Sequence, residues 1–368
     1  MRFLVAGVAV LLASACQRRL AHDGLLLGLT SGRTIFIAWP NDSARLVTEK
    51  PHLLVPRDDG MWWVGVVSRC TIGEGGFGWV EDSVFLYRDD AVFVTRAGED
   101  ARVTLDGTTC EEAEKELLGR EPARADSSGG EYFSVEQLYC GLDMARVTFV
   151  SPSVLSVERR DRGTEFCSPA KYSTSGENIV RRFESSERVV LRPLLTPEST
   201  RQLEQLFSDT EGCGFASENP GATVDSTWAI RRQHATWAAF TWVDGPMVCR
   251  GGYETEEGPA LPSSFTGDAA LPIAWSELLK AFPNAIDAAA SPSGEYLVVQ
   301  RGDSLVLVRG SGRQLGQTVI RVHLGYSEEF AMIRWTTPDE TRRWIASLPA
   351  MQPPTVHVTP GRSRPSEQ

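Results

Sequence analysis

The chain is expected to fold as a β-rich α+β protein: antiparallel sheets, a few short helices, and propeller-like blades at its two ends. Three observations predict this. From Gly24 to Leu105, strand-like runs such as "GLLLGL", "TIFIAW", "HLLVP" and "MWWVGVV" alternate with the turn signals "SG", "PND" and "RDDG". Near the other end, "EYLVVQRGDSLVLVRG" sets two β-rich runs around Gly302-Asp303, which marks a hairpin. The phrases "PHLLVPRDDGMWWVGV" and "AAASPSGEYLVVQRG" both place Pro, then Gly, then an aromatic ahead of a Val-rich strand, in the manner of propeller blades. Two copies fall short of the roughly three units that a repeat fold needs. A pair of sheets flanking a middle block is therefore the expectation.

Residues 1–15 read as a signal peptide: Arg2 precedes an apolar stretch from Phe3 to Ala13, and small residues lead into Cys16. The stretch is too short to span a bilayer comfortably. "ASAC" resembles the lipobox of bacterial lipoproteins, with Ala13 where Leu is commoner. The resemblance implies cleavage before Cys16 and acylation of its thiol, with residues 16–23 as a tether. No later stretch approaches about 18 consecutive apolar residues, so acyl chains are the expected membrane attachment.

Residues 24–118 form an N-terminal β-rich block, continued by "VFLY" and "AVFVT". It ends on "CEEAEKELL" (110–118), a short helix with an acidic first turn and Gly119 behind it. Residues 119–131, "GREPARADSSGGE", are polar and Gly/Ser-rich and read as a linker. Residues 132–282 make a middle α+β block with one clear helix, expected to fold by itself. In "LLTPESTRQLEQLF", Thr196 can cap the helix, Pro197 suits its first position, and Leu203, Leu206 and Phe207 share an inner face. Residues 283–348 carry the hairpin and then "TPDETRRWIASL", in which Thr337 and Glu340 have capping-box spacing and Trp344, Ile345 and Leu348 point inward. Residues 349–368 are Pro-rich and polar, the composition of a disordered tail.

Charge excludes some partners. With 48 acidic against 37 basic residues the formal net charge is −11, which offers nucleic acid no electrostatic footprint. The same excess of negative charge keeps the body from anionic lipid except through its acyl chains. Beyond Cys16 there are six cysteines, Cys70, Cys110, Cys140, Cys167, Cys213 and Cys249. An even number in an exported chain favours three disulfides, in any of fifteen pairings. None sits in C-x-x-C or at zinc-ligand spacing from a His, so no metal is expected.

Motifs for catalysis fail on context. "GEGGFGWV" (73–80) spells the glycine-rich loop of protein kinases, yet the next lysine is Lys115 in an acidic helix, and neither H-R-D nor D-F-G occurs. A turn between strands accounts for the glycines, and no nucleotide or other cofactor is expected. Ser168-x-x-Lys171 and Ser217-x-Asn219 imitate two motifs of penicillin-binding enzymes, but no lysine is followed by Thr-Gly or Ser-Gly. G-x-S-x-G and H-E-x-x-H are absent, and the five histidines are scattered. "RGD" (301–303) falls where the hairpin turns.

"STWAIRRQHATWAAFTWVDG" brings Trp228, Trp237 and Trp242 within fifteen residues and makes them a candidate ligand surface. On a strand, Phe240 and Trp242 share one face and Trp237 takes the other. Burial between a sheet and the 196–208 helix is the commoner use of such tryptophans.

The middle block also carries a resemblance. "VTFVSPSVLSVERR" (147–160) with "EFC" (165–167), "RRFESSERVVLRPLLTPESTRQLEQLF" (181–207), "FTWVDGPMVC" (240–249) and "LPIAWSELLKAF" (271–282) follow one another in a particular rhythm. That rhythm resembles an extracytoplasmic domain found in lysozyme-sensing anti-sigma factors and beside some cell-wall deacetylases. The resemblance implies a strand opening, a leucine-rich turn and helix, and closing strands at 240–249 and 271–282. Where that family has Gly-Gly-Ala-His after its first Cys, this chain has "CSPAKY", so no role of that His transfers. The resulting expectation is a non-enzymatic, lipid-anchored envelope protein that binds or senses a ligand, an envelope protein or peptidoglycan. Gln17 after Cys16, where a retention signal would be Asp, points to the outer membrane, facing the periplasm or the exterior. The alternative is an envelope hydrolase whose site is assembled in space.

Overall fold

The computed structural model describes residues 22–40, 44–58, 60–72, 78–88, 91–94, 139–163, 176–183, 187–208, 228–243, 253–254, 258–311, 314–325 and 328–351. It is β-rich, with several antiparallel sheets and few, short helices. Along the chain come β1 (Gly24–Leu29), β2 (Thr34–Ala38), β3 (Arg45–Lys50), β4 (Leu53–Arg57), β5 (Gly60–Ile72), β6 (Gly78–Arg88) and β7 (Ala91–Val94). Then follow β8 (Tyr139–Val150), β9 (Val154–Gly163), β10 (Gly176–Arg182) and helix α1 (Pro197–Ser208). The last stretch holds β11 (Trp228–Gln233), β12 (Thr236–Val243), β13 (Tyr253–Glu254), α2 (Ser263–Thr266) and α3 (Trp275–Ala281). It closes with β14 (Asp287–Ala290), β15 (Tyr296–Arg301), β16 (Ser304–Ser311), β17 (Gln314–His323), β18 (Phe330–Thr336) and α4 (Pro338–Ser347).

The first sheet has the order β18-β1-β2-β3, so the last of the described strands pairs antiparallel with the first of them. All six residues of β1 are buried. Leu25, Leu27 and Leu29 face one core with Ile35 and Ile37, while Leu26 faces a second core with Phe36 and Ala38. A strand covered on both faces needs apolar residues at consecutive positions, which is why "GLLLGL" does not alternate. Gly28 is small for a packing reason: a Cβ there would lie 2.2 Å from Leu53 Cδ1 and 3.1 Å from Met332 Cβ.

The second sheet runs β10-β9-β8-β6-β5-β4; β7 pairs with β6 at 85–88, beyond the stretch 78–81 that pairs with β8. Its β6–β8 pairing is parallel and joins the N-terminal block to the middle one. The glycine-rich stretch 73–77 lies outside the described residues; β5 and β6 on either side of it pair as far as Ile72↔Gly78. A third sheet is β11-β12-β13, and a fourth is the four-stranded meander β14-β15-β16-β17. Arg301 pairs with Ser304 across the expected two-residue turn, and Gly302 takes φ 49°, as the first central residue of a type II′ turn requires.

One core collects side chains from all four sheets, among them Leu27, Phe149, Trp237, Val298 and Phe330. The second lies between the first two sheets and includes Leu53, Trp63 and Trp344, the last meeting Phe36 edge-on at 5.8 Å. A third, smaller one packs α3 on β14 and β15. Each buried Leu or Val contributes about 1.5–3 kcal/mol relative to exposure.

The helices follow their caps. Thr196 Oγ1 accepts from the Ser199 amide at 3.1 Å, Pro197 opens α1, and Leu203 is buried. α4 has the full capping box: the Glu340 amide donates to Thr337 Oγ1, and the Thr337 amide donates to Glu340 Oε2. One expectation is corrected. "LPIAWSELLKAF" does not supply a closing strand; Trp275–Ala281 is helical. Its apolar positions 275, 278, 279 and 282 have helical spacing, and Leu278 is buried against the fourth sheet. The 110–118 helix, the 119–131 linker, the signal segment and residues 352–368 lie outside the described residues.

Candidate functional site

The four sheets leave a cavity of ≈ 290 Å³ where their ends approach one another. β18 supplies Met332 to Trp335, β4 supplies Pro56, the β8–β9 turn supplies Ser151 and Pro152, and β12 supplies Trp237. Thr266 and Gly267 close it from the end of α2, Pro292 from the β14–β15 turn, and His22 from the segment entering β1. That segment is fastened by Trp39, whose Nε1 donates to the His22 carbonyl at 3.0 Å and whose amide donates to the Asp23 carbonyl at 2.8 Å.

Phe149 and Trp237 make the floor, edge to face at 4.7 Å and 77°. Trp237 is held from behind by Arg232, whose guanidinium lies 4.8 Å from the indole centroid. The Arg232 side chain is only 2% exposed, and it is paired with both Asp268 and Asp287. It also donates to the Ala288 carbonyl at 2.6 Å. Burial works against the charged form, but Asp287 and then Asp268 more than offset this and hold the guanidinium above its ordinary value. Burial pushes the Asp287 carboxyl up, against the pull of Arg232. Asp268 follows the cavity-lining Gly267, so this ion cluster ties floor and wall together.

Asp287 also fixes the β11–β12 turn. His234 and Ala235 take φ 46° and 67°, both left-handed, the geometry of a type I′ turn made without glycine. The Ala235 amide donates to Asp287 Oδ1 at 3.1 Å, and the His234 ring lies 5.5 Å from that of Trp275. The cost of left-handed backbone, about 1–2 kcal/mol per residue, is set against these contacts.

The polar rim has one carboxylate among its described lining residues, Glu340. Its Oε2 accepts from the Thr337 amide and hydroxyl, and its Oε1 pairs with Arg334 at 3.1 Å. Burial works against ionisation, but the Thr337 amide and Arg334 outweigh it and hold the carboxyl below its usual range. Burial holds the His22 imidazole below its ordinary value, against a backbone hydrogen bond at Thr336. His22 Nδ1 and Trp335 Nε1 are buried without a hydrogen-bond partner. Ser151 Oγ accepts from the Val154 amide at 3.1 Å and shapes its turn. A glycosidase-type pair of carboxylates is therefore not found among the described lining residues.

Of the tryptophans singled out by sequence, Trp228 is fully buried and donates from Nε1 to the Val189 carbonyl at 2.7 Å. Trp237 is 2% exposed and forms the cavity floor, and Trp242 lies on β12 opposite Glu254. Cys70 lies on β5 and Cys140 on β8. Cys16, Cys110, Cys167, Cys213, Cys249 and the Ser168/Lys171 and Ser217/Asn219 pairs lie outside the described residues. Sequence reasoning missed His22, Trp335 and the Arg232 cluster. A signal existed for the last: two arginines inside a β-rich run of tryptophans need buried counter-charges.

No protein-family model matches the chain, and no curated protein does. Among solved structures, a glucose dehydrogenase aligns over 83% of this chain and 87% of its own at 11% identity, with a TM-score of 0.21. A likeness at that level carries no argument about fold or activity. Among the described residues, no helix is long and apolar enough to cross a membrane.

Proposed function

We propose that this chain is a lipid-anchored binding module of the bacterial cell envelope, attached through Cys16, outer-membrane sorted, and holding a small ligand in the cavity between its sheets. The cavity carries the proposal. It has an aromatic floor, a few convergent polar groups, and a volume near the lower end of ligand sites, about 300–1,000 Å³. Its wall residue His22 is six residues from Cys16, so an acyl group on that thiol would keep the site within about 20 Å of the anchor. The ligand would therefore be met close to the membrane surface. The signal segment, the lipobox resemblance and the even set of six further cysteines support export.

The test is chemical. Cys16→Ser should move the protein from the membrane to the soluble fraction and abolish incorporation of labelled palmitate. A thiol count on the unfolded, unreduced mature protein should be near zero. Membrane association of the unsubstituted protein without any lipid label would refute the anchor, and several free thiols would refute the oxidised set.

A further inference from the structure

Residues 22–23 lead into β1 and lie between its two neighbours in the first sheet. On the β2 side, the Trp39 indole and amide donate to the carbonyls of His22 and Asp23 at 3.0 and 2.8 Å. On the β18 side, Thr336 pairs with Gly24, and its backbone bonds the His22 ring. The main chain of the segment is held on both sides. Its side chains are less well satisfied. His22 Nδ1 and Asp23 Oδ1 are both buried without a hydrogen-bond partner. Each such orphan costs folding free energy, so this short segment has little in reserve against a further loss.

A proton on His22 is such a loss. An imidazolium carries N–H groups on both ring nitrogens and accepts nothing. On Nδ1 the new N–H would be a charged donor at a buried atom that has no acceptor in the closed structure. The charged groups around the ring come from three places. Glu340 of α4 and Asp23 of the segment itself favour the cation, and Arg334 of β18 opposes it. Trp39, the contact from β2, has no ionisable group. Burial outweighs both carboxylates and holds the ring below its ordinary value. The sign follows. A base lowered in the fold is kept there unprotonated, so the closed segment is most stable above the ordinary histidine value and weakens as pH falls through it. Turning outward restores solvent as the acceptor, and because His22 is a wall residue its departure widens the cavity.

We propose that His22 is an acid-operated latch: protonation releases residues 22–23 from Trp39 and opens the cavity on the side where the chain enters β1. The latch adds regulation to the binding-module reading, since what it opens is the cavity named there. Its readouts need neither a ligand nor an acyl chain, so its failure would leave both of those to their own tests.

The experiment uses the full mature protein in detergent, with isotope-labelled tryptophan. The Trp39 indole signal, assigned by its loss in Trp39→Phe, reports the bond to His22, and hydrogen exchange of the Trp39 amide reports the bond to Asp23. Between about pH 8 and about pH 5, where histidine changes charge, the indole signal should move to a solvent-exposed position. Over the same range the amide should lose protection several-fold beyond the intrinsic effect of pH on exchange, while the amides paired between β15 and β16 stay protected. His22→Gln, with the Trp39 indole in its native position at the upper pH, should remove the loss. Arg334→Gln takes away the opposing cation at an exposed site and should shrink it. Unchanged protection in acid would overturn the latch. Protection that rises would do the same, because protonated Nδ1 would then have found Asp23 Oδ1. A loss that persists in His22→Gln would place the titration elsewhere, and a full loss in Arg334→Gln would refute the charge balance; either outcome overturns the proposal.

Discussion

Replacing Arg232 by Met removes a buried cation while keeping an unbranched side chain of similar reach. In the native protein that cation faces Asp268 and Asp287, donates to the Ala288 carbonyl and lies against Trp237. Without it, Asp287 keeps the amides of Ala235 and Ala288 on Oδ1 but loses its partner on Oδ2, and Asp268 loses its guanidinium bond. Removing one partner from a buried ion set costs about 3–5 kcal/mol, which in a protein of this size lowers the midpoint by about 4–7 °C. The sign with pH follows from Asp287, whose folded-state pKa burial has already raised. With the guanidinium gone, the protonated acid is the form the fold prefers. The variant's deficit should therefore be fully developed at neutral pH and shrink as pH falls into the carboxyl range. Urea denaturation followed by tryptophan fluorescence measures both the deficit and its pH dependence. The triple variant Arg232→Met/Asp268→Asn/Asp287→Asn should recover most of the loss, since it leaves no uncompensated charge. A deficit under about 1 kcal/mol in Arg232→Met, or one that grows as pH falls, would refute the reasoning.

Thr337→Ala deletes the N-cap of α4 and should cost about 1 kcal/mol in chemical denaturation. Because Glu340 has a folded-state pKa held below its unfolded value, its contribution is present above the unfolded carboxyl value and fades as pH falls through the folded one; Glu340→Gln should flatten that acid limb. Excising residues 132–282 removes β6 from the edge of β8, and β1, β15 and β18 from the shared core. The fragment should show no cooperative unfolding transition, and a sharp transition with native-like near-UV circular dichroism would show that the block stands alone.

Where structure is local, the sequence was informative. The Gly302-Asp303 turn, the Thr337/Glu340 box and the Thr196-Pro197 start each depend on a few neighbouring residues, and each formed where its signal lay. Strands bounded by turn residues, such as β1, β2 and β5, were equally legible. The β11–β12 hairpin was hidden because "QHAT" contains none of the usual turn residues; Asp287, more than fifty positions on, helps hold it. Pairings such as β6 with β8 depend on which edges remain free after collapse, and no short window records that. The cavity is hidden for the same reason, since its wall residues run from His22 to Glu340 and meet only in the folded chain. At 271–282 the resemblance implies a strand, whereas Trp275, Leu278, Leu279 and Phe282 carry a helical period, and the helix forms.

The partnership of β1 with β18 imposes an order of events on the newly made chain. β1 is made long before β18, its neighbour on one side, and is apolar on both faces. Lengthening the intervening loop adds little to the equilibrium cost, about 0.6 kcal/mol per doubling, but contacts this distant in sequence form late. Until β18 arrives, β1 has a bare, hydrogen-bond-hungry edge. A chain cut short by premature termination or by a protease would keep that edge permanently, and unpaired edges template aggregation. A chain that has lost β18 would thus display the apolar edge that the intact fold keeps covered.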